Sequence, residues 1–283
     1  MKPAVTMIIK ASGKRVPFEE EKLRTSLRRS GAAFNVIDSI TEEVKNYLYE
    51  GMPTKEIYQV AFGLLKKHPK PFAAKYKLKP AIMELGPSGY PFEKYIAEML
   101  QHKGFIVKVG EVVKGSCVNH EIDVLAEKDN KHYLIECKYH NTPGIICNVK
   151  IPLYIEARFR DVKNEWQKNP GNGSNFHEGW VVTNTKFSSD AIQYGTCMGL
   201  KLIGWDYPAT GSLNQLVESS GLYPLTCLTT LTAKEKQILL DNNVVLCREI
   251  CDKPSVLNLA HISEPRIKNI LLEAFALCKD ARK

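Results

Sequence analysis

Asp123, Glu136 and Lys138 are the residues of this chain whose types and spacing point most directly to chemistry. Glu136 and Lys138 stand two apart at the end of the apolar run His132-Tyr-Leu-Ile135. Side chains alternate across a strand, so both face the same way. Charges gathered at the end of a buried strand need a reason, because burying unpaired charge is costly. A hairpin with the preceding run, Glu121–Ala126, brings Asp123 near Glu136. Two carboxylates converging with one lysine form an oxygen-rich site for a hard divalent cation such as Mg²⁺ or Mn²⁺. Such a site suits phosphodiester hydrolysis. The cation stabilises charge on the phosphate and the leaving oxygen, and with Lys138 it helps to deprotonate a water. Spacing alone leaves one alternative open, an exposed strand end with an ordinary ion pair.

The surrounding elements must hold these groups in place. Pro91–Gly104 has helical character, followed by strand-like runs at Phe105–Val109, Glu121–Ala126 and His132–Lys138. Asp129-Asn130 supplies turn chemistry between the last two. A helix over 149–165, a strand at Gly179–Thr183, a helix over 188–198 and a strand at Leu200–Trp205 complete an α/β layout with a mixed sheet. Two Gly and two Pro within 86–91 mark a boundary before it, and Pro208 and Gly211 a weaker one after it. The expected segments are 1–88, 89–209 and 210–283, an α/β multi-domain chain.

On these residues, 90–208 resembles the PD-(D/E)xK nuclease superfamily, in particular its Mrr-like restriction endonuclease and archaeal Holliday-junction resolvase branches. The resemblance rests on Glu93 in the helix, Glu121-Ile-Asp123, Glu136-Cys137-Lys138 and the run Trp180–Asp206. It implies a restriction-endonuclease-like α/β/α core with a mixed sheet. It also implies that Asp123, Glu136 and the Cys137 carbonyl bind metal, that Lys138 orients the nucleophilic water, and that Glu93 is an auxiliary ligand or holds a metal-bound water. His120 and His140 flank the site as candidate phosphate contacts. Lys150, Arg158, Arg160 and Lys163 are candidates to track a DNA backbone.

The net charge of +8 is uneven: residues 1–88 carry +7, 89–209 carry 0 and 210–283 carry +1. A basic first third favours polyanions, whether nucleotide phosphates or nucleic acid. Its pattern is a short β-hairpin, with strands at 4–9 and 14–18 about the turn Ser12-Gly13, followed by helices at Glu19–Ser30, Ser39–Glu50, Thr54–Lys67 and 72–85. Residues 4–86 resemble the ATP-cone, the regulatory ATP/dATP-binding module of ribonucleotide reductases. The resemblance is carried by Ile9–Gly13, Val16-Pro17-Phe18 and Lys22, then by residues 53–65 and 74–82. It implies an α+β fold of hairpin plus helical bundle. ATP or dATP would be held by Lys10, Gly13, Lys14, Arg15 and Lys22, although Ala11 stands where the family has a basic residue.

The last segment reads as short helices, a small helical module. Residues 257–263 resemble helix-hairpin-helix DNA-binding modules, with Asn242-Asn243 and His261-Ile262-Ser263 in place of the hairpin glycines. The eight cysteines form no CxxC pair, no apolar run approaches bilayer length, and Lys10 interrupts any leader-like core. The expectation is a cytoplasmic protein with reduced thiols that contacts no membrane. Together these features predict a metal-dependent DNA endonuclease regulated by nucleotide, with a homodimer as a further expectation. The alternatives are a nucleotide-sensing DNA-binding protein without catalysis, and a Holliday-junction-type resolvase of branched DNA. No GxxxxGK[ST] motif is present, so ATP-driven translocation is not expected.

Overall fold

A computed structural model describes residues 6–68, 71–168 and 176–279. The chain divides into two compact units, Met1–Ala81 with Gly221–Lys283, and Ile82–Ser220.

In the first unit, β1 (Met7–Ile9) pairs antiparallel with β2 (Arg15–Pro17). The turn between them is tight: Gly13, at φ +79°, donates to the Lys10 carbonyl at 2.8 Å. Ala4 and Val5, which open the strand expected at 4–9, lie outside the described residues. α1 (Glu20–Arg29) buries Leu23 and Leu27 and ends at Ser30. α2 (Phe34–Tyr47) begins a turn earlier than the expected Ser39, because Ile37 joins Ile40, Thr41 and Val44 on its buried face. β3 (Met52–Pro53) pairs parallel with β1. α3 (Thr54–Leu65) follows, with Pro53 at its N-cap position. The helix expected over 72–85 is instead two, α4 (Phe72–Tyr76) and α5 (Leu78–Met83). Pro80 has no N–H to donate to the Tyr76 carbonyl, so one continuous helix loses a rung there.

In the second unit, α6 (Tyr90–His102) precedes three long antiparallel strands, β4 (Ile106–Lys114), β5 (Asn119–Lys128) and β6 (Lys131–Lys138). β4 runs five residues beyond the expected Val109. Gly110 is left-handed at φ +68°, yet the register is unchanged on either side of it, with Val109 opposite Val124 and Glu111 opposite Ile122. β7 (Ile146–Cys147) leads into α7 (Lys150–Trp166). β8 (Phe176–Thr183) then pairs parallel with β6, and β9 (Lys186–Phe187) with β7. After α8 (Ser189–Cys197), β10 (Lys201–Ile203) pairs parallel with β8, and α9 (Leu213–Ser220) closes the unit. The five-stranded mixed sheet therefore has the order β10-β8-β6-β5-β4. α7 and α8 cover one face, where Ile155 and Ala191 pack with Val181. α6 covers the other.

The remainder of the first unit is helical. α10 (Ala233–Asp241), α11 (Cys247–Asp252), a 3₁₀ run at Pro254–Ala260 and α12 (Glu264–Lys279) follow in order. A reciprocal capping box starts α10: Thr232 Oγ1 accepts from Glu235 N, and the Glu235 carboxylate accepts from Thr232 N at 2.8 Å. The Glu273 carboxylate of α12 accepts from the backbone N–H and hydroxyl of both Thr229 and Thr230. Asn243 and His261, in the two places considered for hairpin glycines, both adopt left-handed φ, +62° and +52°. Lys77 and Lys236 both donate to the Thr226 carbonyl, at 3.0 and 2.9 Å, and the Thr226 hydroxyl donates to the Ala81 carbonyl. The bonds from Lys77 and to Ala81 tie the two sequence segments of this unit together. Among the described residues no helix is long and apolar enough to cross a membrane.

The β5–β6 turn uses two left-handed residues, Asp129 at φ +52° and Asn130 at φ +58°. A two-residue hairpin loop of this kind matches the strand twist. Asn130→Val should cost about 1–2 kcal/mol, because a β-branched side chain resists that conformation. Asn130→Gly should be neutral or stabilising, and urea unfolding midpoints of the two variants check this.

Candidate active site

The β5–β6 register, carried one step past Val124↔Ile135, sets Asp123 across from Glu136. At that step a side chain enters the ladder, for Asp123 Oδ2 accepts the Cys137 N–H at 2.7 Å. In the parallel pairing, Glu136 lies beside Val181 and Lys138 beside Thr183. Glu136 therefore faces α7, among Ile122, Leu134, Ile155 and Phe159. From α7, Arg158 Nη1 donates to Glu136 Oε2 at 2.7 Å, and Arg158 Nη2 donates to the Glu121 carbonyl. The Arg158 guanidinium also lies over the Tyr154 ring.

Glu93 stands in the first turn of α6. Burial, followed by repulsion from Asp123, Glu136 and Glu121, pushes its carboxyl up to about 7. Burial and then Asp123 push Glu136 up to about 7 as well, although Arg158 and Lys138 pull in the other direction. Burial also raises Asp123, against the pull of the Cys137 N–H, Arg158 and Lys138. Three carboxyl groups thus share one partly buried place, with Arg158 and Lys138 acting on Asp123 and Glu136.

The donor set consists of two carboxylates and a carbonyl. The Cys137 carbonyl accepts the Tyr139 N–H at 3.2 Å and keeps a second lone pair. No group of three or more His, Cys, Asp or Glu side chains that could hold a metal ion occurs among the described residues. Asp123, Glu136 and the Cys137 carbonyl make a smaller set, all hard oxygens, and the mutual repulsion of the carboxylates is what a divalent charge would relieve. In those respects the residues fit such an ion.

The other residues singled out in the sequence fall into different places. His120 Nε2 meets Asp161 Oδ2 at 2.8 Å. That contact comes first among the causes that lower the Asp161 carboxyl to about 2. His140 is pinned through its backbone, its N–H to Asn184 Oδ1 at 2.9 Å and its carbonyl to Asn184 Nδ2 at 2.8 Å. Its ring Nε2 is buried without a hydrogen-bond partner, and burial, then Lys138, lowers its pKa. Arg158 is held inside the carboxylate cluster and does not lie open to a backbone. Arg160 is exposed and 3.6 Å from Glu156, Lys163 lies over the Phe159 ring, and Lys150 is exposed at the start of α7. In the other unit, Lys10, Gly13 and Lys14 share the hairpin turn. Arg15 pairs with Glu50 at 2.9 Å, and Lys22 with Glu19 at 2.6 Å.

Sequence reading missed the roles of Asp161, Asn184 and Glu165. Asp161 also accepts the Cys117 N–H at 2.9 Å, and Glu165 pairs with Lys114 at 2.8 Å. A signal was present: Arg158, Asp161 and Glu165 recur at i, i+3 and i+7, one charged stripe on one helix face.

Three family models match the chain. The ATP cone domain matches residues 6–78, the Mrr-type restriction endonuclease matches 86–206, and a model described as AF1548-like, C-terminal, matches 223–278. An uncharacterized protein of Archaeoglobus fulgidus is 40% identical over 158 residues, which is 55% of this chain and 83% of that protein. The crystal structure of a protein of unknown function, AF1548, is 35% identical with a TM-score of 0.56, over 68% of this chain and 99% of that one. The carboxylate cluster lies within the endonuclease match, and the basic hairpin turn lies within the ATP cone match. The chain belongs to the AF1548-like family, with an ATP cone followed by an Mrr-type restriction endonuclease domain and an AF1548-like C-terminal domain.

Proposed function

We propose that this protein is a Mg²⁺- or Mn²⁺-dependent DNA endonuclease whose N-terminal segment binds ATP or dATP as a regulator. The segments 1–88, 89–209 and 210–283 are its proposed domains. The observation that carries the reading is the partial burial of Glu93, Asp123 and Glu136 within one another's field, with Lys138 acting on Asp123 and Glu136. Asp123, Glu136 and the Cys137 carbonyl would hold the ion. When bound, the ion supplies charge stabilisation at the phosphate and makes water more acidic. Lys138 orients the attacking water and takes part in holding its proton. Glu93, from α6, would serve as an auxiliary ligand or hold a water of the ion. Arg158 neutralises Glu136 until then, so it acts as a resident counter-ion.

Arg158 also favours a second reading, a nucleotide-sensing DNA-binding protein without catalysis, because an arginine already satisfies Glu136 at 2.7 Å. Incubating the purified chain with plasmid and branched DNA, with and without Mg²⁺, decides between them. Absence of cleavage across both substrates and a panel of nucleotides would leave only binding.

Two variants separate the roles. Asp123→Asn keeps an oxygen to accept the Cys137 N–H, so folding should survive while cleavage drops about a hundredfold or more. Lys138→Ala should lose turnover yet retain DNA affinity, since one lysine is a small share of backbone contacts. Cleavage and gel-shift assays on each variant check both statements.

A pH dependence follows from the carboxyl groups. Glu93 and Glu136 ordinarily titrate at 4.5 and here at about 7. Between those values the folded, metal-free chain holds more protons than the unfolded one. Their contribution to stability therefore declines as pH rises from about 4.5 to about 7 and then levels. Mg²⁺ should raise the thermal midpoint more at pH 8 than at pH 5, and Glu136→Gln should shrink that difference. Scanning calorimetry at the two pH values measures it.

For the N-terminal segment, replacing Lys10 and Lys22 by alanine should weaken ATP or dATP binding by about tenfold, two charge-assisted contacts being lost. Titration calorimetry measures this. Regulation requires that uncleaved DNA in Ca²⁺ shift nucleotide affinity, typically by about 5–150-fold.

A further inference from the structure

A cavity of about 300 Å³ lies within the second unit, between α6, strands β8 and β10, and α9. Its strand walls are Trp180 and Val182 of β8 with Lys201 and Ile203 of β10, which are registered pairs. Val181, the neighbour of Glu136, points to the other face. The cavity is therefore on the side of the sheet away from Glu136 and Lys138. Ile96 and Leu100 of α6 and Leu213 and Leu216 of α9 make most of the rest apolar. A volume near the lower end of the small-molecule range, with an apolar lining and few polar groups, has the make-up of a ligand pocket.

The polar groups of the lining are unusual. Two lysines, Lys103 and Lys201, border it, and no carboxylate does. Neither forms an ion pair among the described residues. The Lys201 ammonium sits 3.9 Å from the centre of the Trp180 ring. Lys128 stands nearby, its ammonium donating to the Lys103 carbonyl at 2.6 Å and lying over the Phe105 ring. Partial burial, followed by the charges of Lys201 and Lys128, lowers the Lys103 pKa. The described lining thus gathers positive charge without a carboxylate of its own, while Glu178, bound by the Trp180 N–H, stands outside it.

The Trp180 indole N–H is already spent on Glu178 at 2.8 Å. Apart from the two lysines, Thr210 is the only side chain of the lining with a free-standing hydroxyl or amide. A nucleobase would leave its hydrogen-bonding edge unsatisfied there, at substantial cost. An alkyl chain loses nothing on entering, and a single anionic head at its end matches the lysines.

We infer that this cavity binds a free single-chain organic anion, an acyl carboxylate or alkyl phosphate, with its chain among Ile96, Leu100, Leu213 and Leu216 and its head at Lys103 and Lys201. The site is independent of the nuclease reading, since it uses none of its residues. The test is calorimetric titration of the full chain with decanoate, decyl phosphate and decanol. Both anions should bind saturably, and more tightly than the alcohol. The double variant Lys103→Gln/Lys201→Gln should weaken decanoate about tenfold and leave decanol unchanged, which also shows that its cavity is intact. Leu216→Trp, which narrows the cavity where the chain would lie, should weaken binding of all three while plasmid binding in Ca²⁺ stays as in the parent. Equal affinities for decanoate and decanol, or decanoate binding undiminished in Leu216→Trp, would overturn the proposal. Displacement of decanoate by phosphatidylglycerol vesicles would overturn the assignment to a free single-chain ligand. A failure of DNA cleavage would bear only on the nuclease reading.

Discussion

The arrangement of the second unit depends on one register, that of the β5–β6 hairpin. A loop of two left-handed residues admits a single alignment of the strands that follow. A slip by one residue would send Glu136 and Lys138 to the face of α6 and turn Cys137 toward α7. Asp123 then secures the alignment at the far end, where its carboxylate replaces a rung of the ladder by binding the Cys137 N–H. The same bond fixes the strand and places the acid.

That placement brings charge into a setting that resists it. Glu136 is ringed by aliphatic side chains, and Glu93 and Asp123 add repulsion. The fold tolerates the cluster through compensations drawn from several elements. These are the Cys137 amide of β6, the guanidinium of α7 and the field of Lys138. In the first unit the electrostatics run the other way. The exposed lysines of the β1–β2 turn stand in solvent, while Arg15 and Lys22 have acidic partners close at hand.

Strand alternation and the Asp129-Asn130 turn were enough to read the Asp123, Glu136 and Lys138 grouping from the sequence, because both are local. The mixed character of the sheet followed from the rhythm of helices and strands, whereas its order, β10-β8-β6-β5-β4, is set by pairings distant along the chain. What could not be read was set by contacts distant along the chain. Arg158 reads as one more basic residue on a helix, and only the packing of α7 turns it onto Glu136, 22 residues away. His120 looks like a free site histidine until Asp161, 41 residues on, takes it. Gly110 looks like a strand end, yet pairing to β5 carries the backbone past it. Pro80 is a helix breaker legible in the sequence itself, inside the span expected as one helix over 72–85.

α7 is held to the sheet edge at more than one place. Asp161 receives the Cys117 N–H and His120, its carbonyl receives the Ser116 N–H at 3.1 Å, and Glu165 binds Lys114. Arg158 is therefore a removable fastening on a helix that is otherwise bolted down. For its guanidinium to leave Glu136, the bonds to Glu136 Oε2 and to the Glu121 carbonyl and the contact with the Tyr154 ring must break, while the other ties of the helix are untouched. Exchange of the partner of Glu136 is thus a matter of one side chain and its local bonds, and not of the seat of the helix.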